Sequence, residues 1–282
     1  MITIYKSNGQ VLTEVSTGKW YVEKPSVDPY NPLNLPPGVV RVRTYDRQPP
    51  QYWNGLTTYE SATLVPGTLD VYDVYKSGTS LSELMPDANN VVEVLGANTT
   101  GITDMSGMFM SCDNLRSVAL FDTSSVANMN NMFAFNGRLA SIPLFDTSSV
   151  ISMGGMFSRC YQLTTVPLFD TSRVTNMGSM FYNCTSLTSV PLFDTSNVMN
   201  MENMFYECLS LTAIPLFNVS SVLVTAHMCK NCLNVASGAL SIYQQASVRI
   251  TYPEYYLGTF SQCGINTTTG RAELEQIPAD WK

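Results

Sequence analysis

Between Phe121 and Leu216 the chain writes one 24-residue unit four times without a gap: FDTSSVANMNNMFAFNGRLASIPL, FDTSSVISMGGMFSRCYQLTTVPL, FDTSRVTNMGSMFYNCTSLTSVPL and FDTSNVMNMENMFYECLSLTAIPL. The same frame runs back to Ala97 and on to Leu240, making six recognisable units. A unit this short cannot bury its apolar side alone. Fixed-period self-similarity therefore predicts a solenoid, in which each coil is covered by near-copies of itself.

With Phe121 as place 1, the apolar columns are Val or Ile at place 6, Met at 9 and 12, Phe at 13, Cys at 16, Leu at 19, Val or Ile at 22 and Leu at 24. Steps of three and four from Met to Cys suit one or two turns of α- or 3₁₀-helix. L-x-x-V-P-L suits a short strand. The expected fold class is α/β, short strands plus helical turns. Strands of successive coils lie about 4.8 Å apart, so a residue that packs well once packs well in every coil. Asp122, Asp146, Asp170 and Asp194 are expected to accept backbone or Thr/Ser hydrogen bonds at the turn after the strand.

The flanks divide into further segments. In 73–96, Leu81, Leu84, Met85, Ala88, Val91 and Val94 fall on the same columns, which marks an N-terminal capping repeat and puts the whole solenoid at 73–240. After Leu240 the frame slips by seven residues and returns at Phe260 and Cys263, an interrupted coil within 241–282. The tail TTTGRAELEQIPADWK offers Thr268 or Thr269 as N-cap of an amphipathic helix that caps the last coil with Leu274, Ile277 and Trp281. Residues 1–24 read as a β-hairpin, ITIYK and VLTEV around Asn8-Gly9. Residues 25–72 are too rich in proline for regular structure apart from a strand at VVRVR, and read as a semi-rigid connection. The hairpin is then an attachment arm, or an arm folded back over the open end of the solenoid.

Composition narrows the partners. A net charge of -7 disfavours binding to a phosphate backbone, so nucleic acid is not an expected partner. No run approaches the length of a membrane span, and MITIYKSNGQ shows no charged lead into an apolar stretch, so neither membrane insertion nor a secretory signal is expected. Cys112, Cys160, Cys184, Cys208 and Cys232 share one column, interrupted by Asn136, and are expected to pack as free thiols, with ladder disulfides the alternative. His227, Cys229, Cys232 and Cys263 could in principle hold zinc, but Cys232 and Cys263 already fit the column and His227 is the sole histidine. The aspartate row could bridge calcium, yet one carboxylate per coil falls short of the six or more oxygens calcium takes. No metal, cofactor or enzymatic activity is expected, since no nucleophile–base constellation appears.

Recognition must then come from places that vary and point outward. Places 14, 15, 17 and 18 vary most, and they place Phe135, Arg138, Arg159, Tyr161, Tyr182, Tyr206 and Glu207 on an aromatic and polar stripe. Exposed aromatics supply contact area for proteins and stack on sugar rings. The same rings could instead shield neighbouring coils. Places 20 and 21 make a Ser/Thr-rich surface nearly free of charge, which suits an extended glycan or another sheet.

MFYNCTSLTSVPLFDTSNVMNMENMFYECLSLTAIPLF resembles the BspA-type leucine-rich repeats, in the variant known from bacterial surface lipoproteins and gut-phage proteins. The resemblance covers 97–240 and, with fewer columns kept, 73–96. It implies a leucine-rich solenoid, surface exposure and often adhesion. The lipoproteins carry a signal and a lipid-accepting cysteine that this sequence lacks, which shifts the expectation to a virion surface protein, with a bacterial cell-surface adhesin or a structural spacer as alternatives. Expected partners are a host-surface protein or glycan, other virion proteins through the N-terminal arm, and a possible second copy of the chain.

Overall fold

A computed structural model of the chain describes residues 3–5, 11–14, 20–22, 31, 33–50 and 59–282. Near the start, β1 (Thr3–Tyr5) and β2 (Val11–Glu14) pair antiparallel with Tyr5 opposite Val11, as a hairpin requires. The Asn-Gly turn between them lies outside the described residues. A third strand, β3 (Trp20–Val22), adds to β2 and makes a three-stranded sheet where two strands were expected.

The segment expected to be a semi-rigid connection contributes two whole strands and the start of a third to a sheet. Its VVRVR strand is β4 (Val39–Thr44), which pairs on one side with β6 (Val71–Tyr75) and on the other with β7 (Val91–Ala97). β5 (Ser61–Leu64) lines β6, and β8 (Ser117–Val118) runs parallel to β7, giving the order β5-β6-β4-β7-β8. Every proline of 25–72 falls outside β4, β5 and β6, so no ladder N–H is lost. Alternation does the rest: Val40, Val42, Tyr72 and Val74 turn into one core with Leu81, Leu84 and Met85, while Arg41 meets Asp73 at 2.6 Å and Arg43 meets Glu93 at 2.6 Å on the other face.

From residue 80 onward successive units lie on one another. Parallel bridges join Ser80, Asp104, Asn128, Ser152, Asn176, Asn200 and Val224 in an unbroken series, each 24 residues from the next. Over places 9 to 15 four backbone bonds tie each pair of units: Met153, Gly155, Phe157 and Arg159 donate to the carbonyls of Asn176, Gly178, Met180 and Tyr182 at 3.0, 2.8, 3.0 and 2.7 Å.

This segment is turn, not the helix expected from its spacing. Met156 donates back to Met153, Ser158 to Gly155 and Cys160 to Phe157, a chain of i→i+3 turns that uses the alternate N–H groups. Places 11 and 15 have positive φ in every unit, for example Gly155 at 65° and Arg159 at 60°, and a left-handed residue cannot continue a helix. Apolar residues three and four apart suit either structure. The turns keep the Met, Phe, Cys and Leu columns buried while turning half of the N–H groups toward the next unit.

The other flank of each unit differs more from expectation. Beyond β8 the L-x-x-V-P-L segments form no strand. Proline at place 23 has no N–H to give, and only a few bonds between units remain, such as Thr188 to the carbonyl of Thr164 at 3.0 Å. Phe145 donates to the carbonyl of Pro143, and Phe193 to that of Pro191, closing three-residue turns. These turns point the leucine of place 24 outward and the phenylalanine of place 1 inward. Leu144, Leu168 and Leu192 are 59%, 61% and 61% exposed, while Phe145, Phe169 and Phe193 are buried, which corrects the assignment of place 24 to the core.

Hydroxyls finish the fit. Thr147 donates its Oγ1 to the carbonyl of Asp170 at 2.8 Å, one unit on. Asp146 accepts from the N–H and Oγ of Ser148 at 3.0 and 2.7 Å, the turn-capping role expected for the aspartate row.

The interrupted coil closes the stack. An unexpected helix, α1 (Ala239–Ala246), fills the slipped frame, and the ladder resumes with Thr225, His227, Cys229 and Asn231 donating to Tyr255, Leu257, Thr259 and Ser261. In the tail, α2 (Thr268–Glu275) is capped by Thr267 rather than Thr268 or Thr269, and Glu273 accepts from the N–H groups of Gly238 and Leu240 at the start of α1. Trp281 packs flat on Tyr256 at 4.4 Å and covers the end of the core.

Candidate functional site

Of the stripe predicted from places 14, 15, 17 and 18, side chains at places 14 and 15 lie in a row. Arg159 lies 5.0 Å over the ring of Phe135 and 5.8 Å over that of Tyr182, Tyr182 stacks on Tyr206 at 4.8 Å, and Lys230 lies 5.7 Å over Tyr206. Cations and rings thus follow one another along five units. Cation–π contacts of this kind contribute about 0.5–1 kcal/mol each at exposed sites.

Backbone chemistry holds the row in place. Phe135, Arg159 and Glu207 sit at left-handed corners with φ of 63°, 60° and 58°, and their N–H groups are bound to the carbonyls of Ser158, Tyr182 and Lys230. Phe135 is 39% exposed and the tyrosines Tyr182 and Tyr206 are half-buried, so the rings shield their neighbours and meet solvent at once. The Tyr206 hydroxyl is pushed up in pKa by partial burial and then by the Glu207 carboxylate and Tyr182. Glu207 itself accepts from Asn231 at 3.4 Å.

Two predicted members stand apart. Tyr161, at place 17 and 42% exposed, lies over Gly137, where an added Cβ would come within 3.1 Å of the ring. Arg138, at place 18, is exposed and lowers the pKa of Asp113 against burial and Asp87, which raise it. Lys230 and His227, whose ring meets Tyr206 edge-on at 6.5 Å, extend the row and were missed because their unit has diverged. The recurrence of place 14 was the available sign.

The cysteine column is inert by environment. Cys160, Cys184, Cys208 and Cys232 donate their thiols to the place-13 carbonyls of the preceding unit at 2.9 to 3.1 Å. Asn136 does the same work with its amide, donating to Phe109 and Phe133, though its Oδ1 is buried without a partner. Burial pushes the Cys160 thiol up to about 12, and burial raises Cys184, Cys208, Cys229 and Cys263 well above the ordinary range. A thiol held neutral is neither nucleophile nor ready ligand. All seven cysteines are free, and among the described residues no group of three or more His, Cys, Asp and Glu side chains could hold a metal ion, the His227 set included. Nor is any helix there long and apolar enough to cross a membrane.

Comparison with known proteins returns a family and one structure. The family described as "Mycoplasma protein of unknown function, DUF285" matches residues 79–165 and 135–241. A leucine-rich repeat protein from Eubacterium ventriosum ATCC 27560, known from its crystal structure, is similar with 14% identity and a TM-score of 0.36, over 64% of this chain and 62% of that one. The chain therefore spans less than two thirds of that protein's length. No curated protein matches the sequence.

Proposed function

We propose, for a chain that belongs to the DUF285 family over more than half of its length, a leucine-rich-repeat solenoid that acts by binding and not by catalysis. Support for the solenoid comes from the unbroken series of bridges between units and from the resemblance of its repeat string to BspA-type repeats. The single observation that carries the binding role is the row Phe135, Arg159, Tyr182, Tyr206, Lys230. These side chains lie outside the buried columns, and the backbone of each is hydrogen-bonded to the adjoining unit. Pre-ordered aromatic and arginine side chains lose little freedom on binding and are the residue types that dominate interface energetics.

The partner in this reading is a host-surface protein or glycan. The chain rides on a virion surface, with its N-terminal strands as the attachment element, or alternatively on a bacterial cell surface. The test is binding of the purified chain to whole cells and to a glycan array, with Arg159→Ala and Tyr206→Ala compared at equal thermal midpoints. Loss of binding in both variants supports the row; unchanged binding in both overturns it. Detection of the chain by mass spectrometry in purified particles tests the virion assignment.

One observation favours an assembly role as a second reading. Leucine recurs at place 24 from Leu120 to Leu216 although each is 39% to 69% exposed, and unlike the exposed Asp and Ser of places 2 and 4, which cap a turn, it has no polar role within its coil. An exposed row of identical apolar residues suits contact with a second copy of this chain. Sedimentation of the wild type against Leu144→Asn/Leu168→Asn/Leu192→Asn decides it: a dimer that falls to monomer supports the reading, and a wild-type monomer refutes it.

A further inference from the structure

The interruption after Leu240 does something the regular units cannot. Stacked copies make flat rows, but the segment returning from α1 passes along the outer side of places 5 to 8 and raises a wall there. Two dents share Arg249 on that wall. One, of about 400 Å³, is floored by Leu223, Ile250, Tyr252 and Tyr255. The other, of about 490 Å³, is lined by Ser172, Arg173, Asn197 and Ser221. Small-ligand sites run from roughly 300 to 1,000 Å³, so each dent is of ligand size.

The chemistry of the two halves is complementary. Tyr252 and Tyr255 are 64% and 44% exposed, and their rings stand at 81° to one another with centroids 6.1 Å apart. Unlike Tyr182 and Tyr206, they do not cover each other's faces. The carbonyl of Tyr255 accepts from the N–H of Thr225 at 2.7 Å and Ile250 is buried, so the aromatic floor is anchored to the stack. Arg249 is oriented by one bond, Nη1 to the carbonyl of Ser220 at 3.2 Å. Neither Arg249 nor Arg173 has a carboxylate within ion-pair distance among the described residues, where the ion pairs all lie on Arg41 and Arg43. Two cations of a chain with net charge -7 thus face one trough without a counter-charge.

We propose that this is a binding site for a carboxylated sugar. The apolar face of the sugar ring lies on the tyrosine floor, its carboxylate meets Arg249 and Arg173, and its hydroxyls meet Ser221, Ser172 and Asn197. An acidic peptide is the poorer fit. Neither dent borders a strand edge, which an extended peptide would use for its own backbone groups. The site is separate from the Phe135–Lys230 row and stands or falls independently of it.

The experiment is calorimetric titration of the full chain with uronic-acid and sialic-acid oligosaccharides, with their methyl esters, and with tri-glutamate. The expected result is binding of at least one acidic sugar, a loss of about tenfold or more, or about 1.4 kcal/mol, in Arg249→Gln and in Tyr252→Ala, and no binding of its methyl ester. Arg116→Gln, an exposed arginine on another part of the surface, controls for general charge and should leave the affinity unchanged. Thermal midpoints equal to wild type show that the exposed substitutions leave the fold intact. Absence of binding across the panel, equal binding of acid and ester, unchanged affinity in Arg249→Gln, or tri-glutamate binding as tightly as the sugars would each overturn the proposal.

Discussion

Places 9 to 15 and places 20 to 24 of one coil are held to the neighbouring coils in different ways. On the first side four N–H groups per step enter parallel bonds, and the side chains between them are buried or locked in the row of rings. On the second, proline at place 23 leaves few backbone bonds between coils, and the leucine beside it stands in solvent. Both sides repeat almost letter for letter. Packing against a copy therefore accounts for internal identity on the ladder side, whereas at place 24 no packing within the coil accounts for it.

The largest expected effect concerns the ladder side. Cys112, Cys160, Cys184, Cys208, Cys229 and Cys263 have raised pKa values, burial being the first cause in each. A group raised in the folded state stabilises the fold fully below its unfolded value, near 9, and that contribution is lost as pH climbs toward the folded value, about 12 for Cys160. Urea midpoints are expected to hold to about pH 8 and then fall, by about 1.4 kcal/mol per pH unit for each thiol that ionises only on unfolding. Replacing Cys184 by Asn, which the column already accommodates at 136, should remove one proton from that slope. A flat profile to pH 10 would sever the link between the column and the ladder.

Next comes Phe157→Ala. Its ring stacks between Phe133 at 6.0 Å and Phe181 at 5.8 Å with no exposure, so truncation is expected to cost about 3–5 kcal/mol in denaturant unfolding. Asn136→Cys sharpens the same side with the opposite sign. Removing the unpartnered Oδ1 while keeping a donor for Phe109 should stabilise by about 1 kcal/mol. The smallest effect belongs to the other side: Leu168→Ala is expected to stay within about 0.5 kcal/mol of wild type.

The columns were legible because identical neighbours leave little freedom to Met156, Phe157, Cys160 and Leu163. Two features were not. Met–Met–Cys–Leu spacing fits a helix and a chain of turns equally, and the residues that decide, Asn131, Ser179 and Asn203 at place 11, show only a taste for left-handed φ that glycine at 107 and 155 makes plainer. At V-P-L-F two apolar residues compete for one inward direction, and a three-residue turn at proline gives it to phenylalanine. Proline density likewise concealed β5 and β6, although VYDVY alternates as a strand should. As for the candidate site, the rings of Tyr182 and Tyr206 were readable from a recurring place. Their cation partners Arg159 and Lys230 come from neighbouring units and, for Arg159, from a different place of the frame, so that pairing emerges only once the coils are stacked. The dents around Arg249 depend on the path of an insertion, which no repeat predicts.

Site-resolved amide hydrogen exchange tests the stacking most directly. The N–H groups of Met153, Gly155, Phe157 and Arg159 cross from one coil to the next, and those of Leu144, Leu168 and Leu192 belong to exposed corners. Slow exchange in the first set, approaching the rate of global unfolding, with fast exchange in the second is the predicted pattern. Equal protection of the two sets, or protection of the leucines alone, would contradict a stack joined through places 9 to 15.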